Sequence, residues 1–137
     1  MVQVKFLTTA ALAAVLSAGS AAADGISHLP LLSDISTEAE AIGPHVPQMG
    51  EHWADAADLP LGPIYCVIEG HVVCVEYMFL ASELDDGVNW MDMATGMETP
   101  PITFITMEYM PDGVGPVSEP LYQLHLYFAE REVLADY

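Results

Sequence analysis

Five histidines, eight methionines and twenty acids are the side chains of this 137-residue chain best suited to holding a cation. Four of them, His45, Met49, Glu51 and His52, fall within eight positions on a stretch braced by Pro44 and Pro47. A further imidazole, His125, lies two positions after the amide of Gln123. Imidazole, thioether and carboxylate donors suit Zn²⁺ or copper, and three protein ligands with an open position form the catalytic zinc arrangement. His-x6-His is no established ligand spacing, and a loop histidine often serves only to satisfy backbone carbonyls. The candidate ligands are therefore His45, His52 and His125, with Met49, Glu51 and Gln123 as second choices.

Other clusters carry less. Met91, Met93 and Met97 near Trp90 could capture a soft ion, but methionine more often fills cores and interfaces. Glu83, Asp85 and Asp86 precede Gly87 without the residue order of a calcium loop, so they read as a solvated helix end. Arg131, flanked by Glu130 and Glu132, is expected in a surface ion pair. The chain has no G-x-S-x-G, no H-E-x-x-H and no phosphate-cradling glycine loop.

The elements that must position these residues are mostly strands. Ile64–Ile68 and His71–Met78 flank Glu69-Gly70, which predicts a hairpin with a type I′ turn. Their near-continuous apolarity implies cover on both faces. Ile102–Met110 and Leu121–Phe128 give two more strands, joined by a proline- and glycine-rich connection over 111–120. In the last strand Tyr122, Leu124, Leu126 and Phe128 form the expected core face, leaving His125 and Gln123 on an amphipathic face. Ser82-Glu83-Leu84-Asp85 predicts one helical turn ending at Gly87. Ser36 is a candidate N-cap for a turn over 37–42, and the stretch 50–63 reads as ordered loop with one short turn. The expected fold is mainly β (α+β): an antiparallel sheet of four or more strands with short helices, barrel closure left open.

The turn also bears on Cys66 and Cys74. With Ile68 opposite His71, a regular ladder puts Cys66 opposite Val73 and the thiols on opposite faces. A three-residue loop would oppose them and allow a bridge. Both alternatives stand at this point.

Residues 1–23 read as a secretory signal: Lys5 supplies the charged start, 6–16 are mostly apolar, and Ala21-Ala22-Ala23 offers a cleavage site after Ala23. That predicts a periplasmic or secreted protein. Residues 24–42 form an irregular lead-in and 43–137 a single compact domain. Twenty acids against two basic residues give a formal charge of −18, which argues against nucleic acid and anionic lipid as partners. No second apolar stretch is long enough for membrane insertion.

The segments His45-Val46-Pro47-Gln48-Met49-Gly50-Glu51-His52-Trp53, Gly62-Pro63-Ile64-Tyr65, Glu76-Tyr77-Met78 and His125-Leu126-Tyr127 resemble a small exported bacterial family of unknown function. Its characterised member is controlled by an extracytoplasmic sigma/anti-sigma pair and assembles as a homodecamer. The resemblance spans roughly residues 43–128 and implies a homo-oligomer without assigned activity. This chain departs from the family pattern at Val114, Leu121 and Gln123, which replace two histidines and an aspartate.

Together these readings favour an exported, non-enzymatic, stress- or envelope-related binding protein with a histidine-based Zn or Cu site. The alternatives are a metal-dependent enzyme with an open coordination position and a purely structural oligomeric envelope protein. Self-repulsion among the acids predicts that salt raises the melting temperature between about 10 mM and 500 mM, as screening shortens the reach of each charge. A melting temperature indifferent to ionic strength would contradict this.

Overall fold

A computed structural model of the chain describes residues 25–137; the expected signal over 1–23 lies outside them. Six strands form one antiparallel sheet: β1 (Glu40–Ala41), β2 (Glu51–Ala54), β3 (Ile64–Ile68), β4 (His71–Leu80), β5 (Phe104–Met110) and β6 (Leu121–Tyr127). Their order is β1-β2-β3-β4-β6-β5, so β1 and β5 are edges and the sheet is not closed into a barrel. Short helices α1 (Leu32–Ile35), α2 (Ala81–Asp85) and α3 (Arg131–Leu134) and a 3₁₀ turn at Ala56–Asp58 complete the fold.

The central hairpin follows from its turn. Glu69 and Gly70 both take positive φ, +50° and +83°, as a type I′ turn requires. Both strands are buried along almost their whole length, so apolar residues on either face meet cover. The ladder is not regular, however. Ile68 opposes His71 and Val67 opposes Val72, after which the register shifts and Cys66 opposes Cys74. A β-bulge on β4 thus inserts Val73 and brings the cysteines onto one face. Cys66 and Cys74 form a disulfide with Cα atoms 5.0 Å apart.

One expectation from periodicity is reversed. On β6 the buried face is the odd one: Leu121, Gln123, His125 and Tyr127 are buried, whereas Tyr122, Leu124 and Leu126 are only half-buried. Period two assigns faces but not which one is covered, and the polar-looking face is covered because its polar groups find partners there. The neighbouring face of β5 exposes Ile105, Met107 and Tyr109. Residues 24–42, expected as a lead-in, are integral from Ile26 onward. Ile26, Leu29 and Leu32 are buried, and the Leu29 carbonyl lies 2.7 Å from His71 Nδ1. The turn expected over 37–42 is replaced by β1, whose Glu40 and Ala41 pair with Ala54 and Trp53. Ser36 Oγ still accepts the backbone N–H of Ala39, at 3.0 Å.

The two faces are packed differently. One carries the larger core, closed by the irregular stretch 88–103: Tyr65 and Tyr77 hydroxyls donate to the Thr95 and Ala94 carbonyls, and Trp90 packs edge-on against Phe79 at 4.7 Å. The other holds a smaller cluster of Ala54, Ile64, Met78 and Leu121, beside the residues considered next. Arg131, expected in a surface ion pair, instead sits 4.0 Å above the Phe104 ring.

Reduction of the purified protein should add the mass of two hydrogens and lower stability by about 2–3 kcal/mol, the constraint expected from a short closed loop. Equal denaturant midpoints with and without reductant would show that the bridge contributes nothing.

Candidate metal centre

Register places one polar constellation on the less packed face. Glu76 opposes Ile64 on β3 and His125 on β6, and His125 opposes Thr106 on β5. One row along, Met78 opposes Gln123 and Gln123 opposes Glu108. On the far side of β3, His52 opposes Cys66, two positions from Ile64 and so on the same face. His52 therefore reaches over β3 towards Glu76.

Its Nε2 lies 3.3 Å from Glu76 Oε2, and His125 Nε2 lies 3.5 Å from the same oxygen. The three potential donor atoms are all within 4.8 Å of one another. Tetrahedral zinc with bonds of roughly 2.0–2.2 Å sets its donors roughly 3.3–3.6 Å apart, so the two short separations already match an edge of such a site.

The remaining atoms of these side chains are engaged. Gln123 Nε2 donates to Glu76 Oε1 at 2.7 Å, which turns Oε2 towards the imidazoles. The Thr106 hydroxyl lies 3.3 Å from His125 Nδ1. That contact occupies Nδ1 and leaves Nε2 as the ring atom that faces Glu76. Glu76 Oε2 and His125 Nε2 are buried without a well-formed hydrogen bond. Glu76 and His125 are each 1 % exposed, so these atoms are shut off from water and face one another and His52.

Burial pushes the Glu76 carboxyl up, but the neighbouring His125 and His52 imidazoles outweigh it and hold the group at about 2. The centre therefore keeps a buried carboxylate, a strong point charge for a cation.

His52, Glu76 and Gln123 also line a cavity of about 890 Å³ whose walls are otherwise largely apolar. The stretch 43–49 and the connection 111–120 supply much of its rim. Gly50 ends the first of these at φ +80°, where a Cβ would collide with the Val67 carbonyl. Only a bare backbone allows that loop to fold so close to β3.

The sequence candidates thus separate. His52 and His125 come together, and Gln123 stands behind them as a hydrogen-bond donor to Glu76. His45 does not join them: it lines a different pocket with Glu51 and Tyr137. Alternation on β2 explains this, since Glu51 and His52 point to opposite faces and the loop carries His45 with Glu51. Glu51 is exposed and accepts from Trp53 Nε1 at 3.1 Å. Met49 lines the cavity wall. The third position expected for His45 is filled by Glu76, which residue-by-residue reading overlooks. Its signal was present: a lone carboxylate in Val72-Val73-Cys74-Val75-Glu76-Tyr77-Met78, where burial demands a partner.

No protein-family model and no curated protein matches the chain. Among solved structures it is similar to the hypothetical protein TTHB210 from Thermus thermophilus, at a TM-score of 0.56 and 25% identity over 72% of this chain and 98% of that one. That likeness agrees with the antiparallel sheet.

A carboxyl held near 2 when folded, against an ordinary 4.5, stabilises the fold above about pH 4.5, and that contribution is lost as pH falls towards 2. Glu76→Gln should therefore flatten the acid limb of stability measured by denaturant titration between pH 4.5 and 2. An unchanged slope in the variant would show that Glu76 gains nothing from its imidazoles.

Proposed function

We propose that this chain is an exported, non-enzymatic binding protein that holds one divalent transition-metal ion on His52, Glu76 and His125. The observation that carries this reading is the convergence of His52 Nε2 and His125 Nε2 on one buried carboxylate oxygen, Glu76 Oε2, at 3.3 and 3.5 Å. A bound cation would satisfy all three at once. Two nitrogens and one carboxylate oxygen favour Zn²⁺ or Cu²⁺ over Cu⁺, which prefers the thioethers and thiolates missing from this set. Gln123 and Thr106 orient the ligands from behind, and Met49 contributes to the cavity wall beside them.

Export rests on the signal-like residues 1–23 and is supported by the Cys66–Cys74 disulfide, since such bridges persist in oxidising compartments. Assembly as a homo-oligomer is supported by Ile105, Met107 and Tyr109, exposed on the edge strand β5. A stress or envelope role follows only from the family resemblance. A second reading, a metal-dependent enzyme, is favoured by one observation: His52 and Glu76 line the large cavity, so an open coordination position would face space for substrate and water.

Protein titrated with zinc or copper(II) should take up one ion per chain in calorimetry and elemental analysis, with a rise in melting temperature. His52→Ala and His125→Ala should each abolish stoichiometric binding, Gln123→Leu should weaken it by roughly 10–100-fold, and His45→Ala should leave it unchanged. Absence of uptake by the unsubstituted protein would remove the proposal. Turnover by the loaded protein on hydrolytic or redox substrates would favour the enzyme.

A further inference from the structure

The cavity itself calls for an occupant larger than an ion, and three observations describe its chemistry. Every acidic or basic residue lining it, apart from His52, is a glutamate: Glu76, Glu108 and Glu119. No lysine or arginine reaches it among the described residues, and the chain as a whole carries a charge of −18. Glu76, though almost wholly buried, contributes to the cavity lining and brings its negative charge to that wall. The rest of the wall is aliphatic and thioether, including Ile64, Met78, Leu80 and Met110, and its volume of about 890 Å³ lies in the range of small-molecule sites.

We infer that this cavity takes an amphiphilic organic cation, a primary alkylamine of medium chain length. Its ammonium would lie at the Glu76 end of the cavity, and its tail would run along the methionine-lined wall towards the rim. An ammonium carries three donors, no acceptor and a positive charge, the complement of a wall whose ionisable groups are mostly carboxylates. A carboxylate-headed molecule of the same length meets three glutamates and the field of the whole chain. A neutral alcohol of that length gains the wall but not the charge.

This inference goes beyond the metal reading and does not need it. The ammonium and a metal ion seek the same oxygen, so the two ligands exclude one another, and each weakens the other by an equal factor.

The test is calorimetry on chelator-treated full-length protein with butylamine, hexylamine, octylamine, octanol and octanoate, each below its aggregation limit. Octylamine should bind, octanoate should bind at least about tenfold more weakly, and each added methylene should tighten the amine roughly threefold to fourfold. Glu76→Gln should weaken octylamine by at least about tenfold, the expected loss for one charge-assisted contact. Because that variant alters a buried network, Val114→Trp at the rim provides a second probe. It should block octylamine while zinc uptake, where the protein shows it, stays intact. Stoichiometric zinc should reduce octylamine affinity. Octanoate binding as tightly as octylamine would overturn the proposal, as would amine affinity independent of chain length or no binding of any amine. Failure of zinc uptake alone would leave these amine results standing, so the two readings fall separately.

Discussion

A carboxylate in the middle of a buried strand constrains the whole sheet. Glu76 sits on β4, the strand with the longest buried run, and removing an ionised carboxylate from water costs far more than a fold of this size can leave uncompensated. Compensation has to come from every side. Gln123 supplies a hydrogen bond to one oxygen from the next strand, and His52 and His125 bring polarisable, protonatable rings to the other. Glu76 and these partners are spread over three different strands. Their mutual register is therefore as important to stability as the apolar packing around them, because a one-residue slip of β6 would aim Leu124 and Leu126 at the charge instead.

The scaffold tightens that register beside the charge. The bulge at Val73 shifts β4 by one residue relative to its own turn, and only after that shift do Cys74 and Glu76 share a face with Cys66 and His52. The disulfide then ties β3 to β4 two positions from Glu76, at the residue that pairs with His52 across the ladder. A covalent tie at this point limits slippage of the strands that the polar cluster spans. The same bulge that permits the bridge thus also aligns the carboxylate with its imidazoles.

The legibility of the sequence follows the range of the interactions. The hairpin over 64–78 was readable because turn chemistry and β-branched runs are local, and β5 and β6 emerged within a residue or two of their ends. The disulfide was not decided by the same turn, since a bulge depends on packing that no dipeptide records. Strand β2, read as ordered loop, is four residues long and held by pairing with β3 rather than by its own pattern. The faces of β6 were assigned correctly by parity, yet their burial was inverted, because His125 and Gln123 look solvent-seeking until Glu76 is placed opposite them. His45 and His52 were grouped by proximity along the chain. Proximity fails on a strand, where neighbours diverge, and the true neighbour of His52 is Glu76, two strands further on.

One consequence joins the structural and chemical roles of the centre. Without an ion, the two imidazole nitrogens beside Oε2 offset the burial of the carboxylate, so the cluster stays buried and ordered. In the proposed metal-bound form the same oxygen and nitrogens would become ligands. The carboxylate is the fixed element in both states, held in orientation by Gln123 whichever cation faces it. That is the physical reason a buried glutamate, rather than a third imidazole, suits this position. A third neutral ring would leave the uncharged cluster nothing to be organised around, whereas an anion draws its polar partners onto one point.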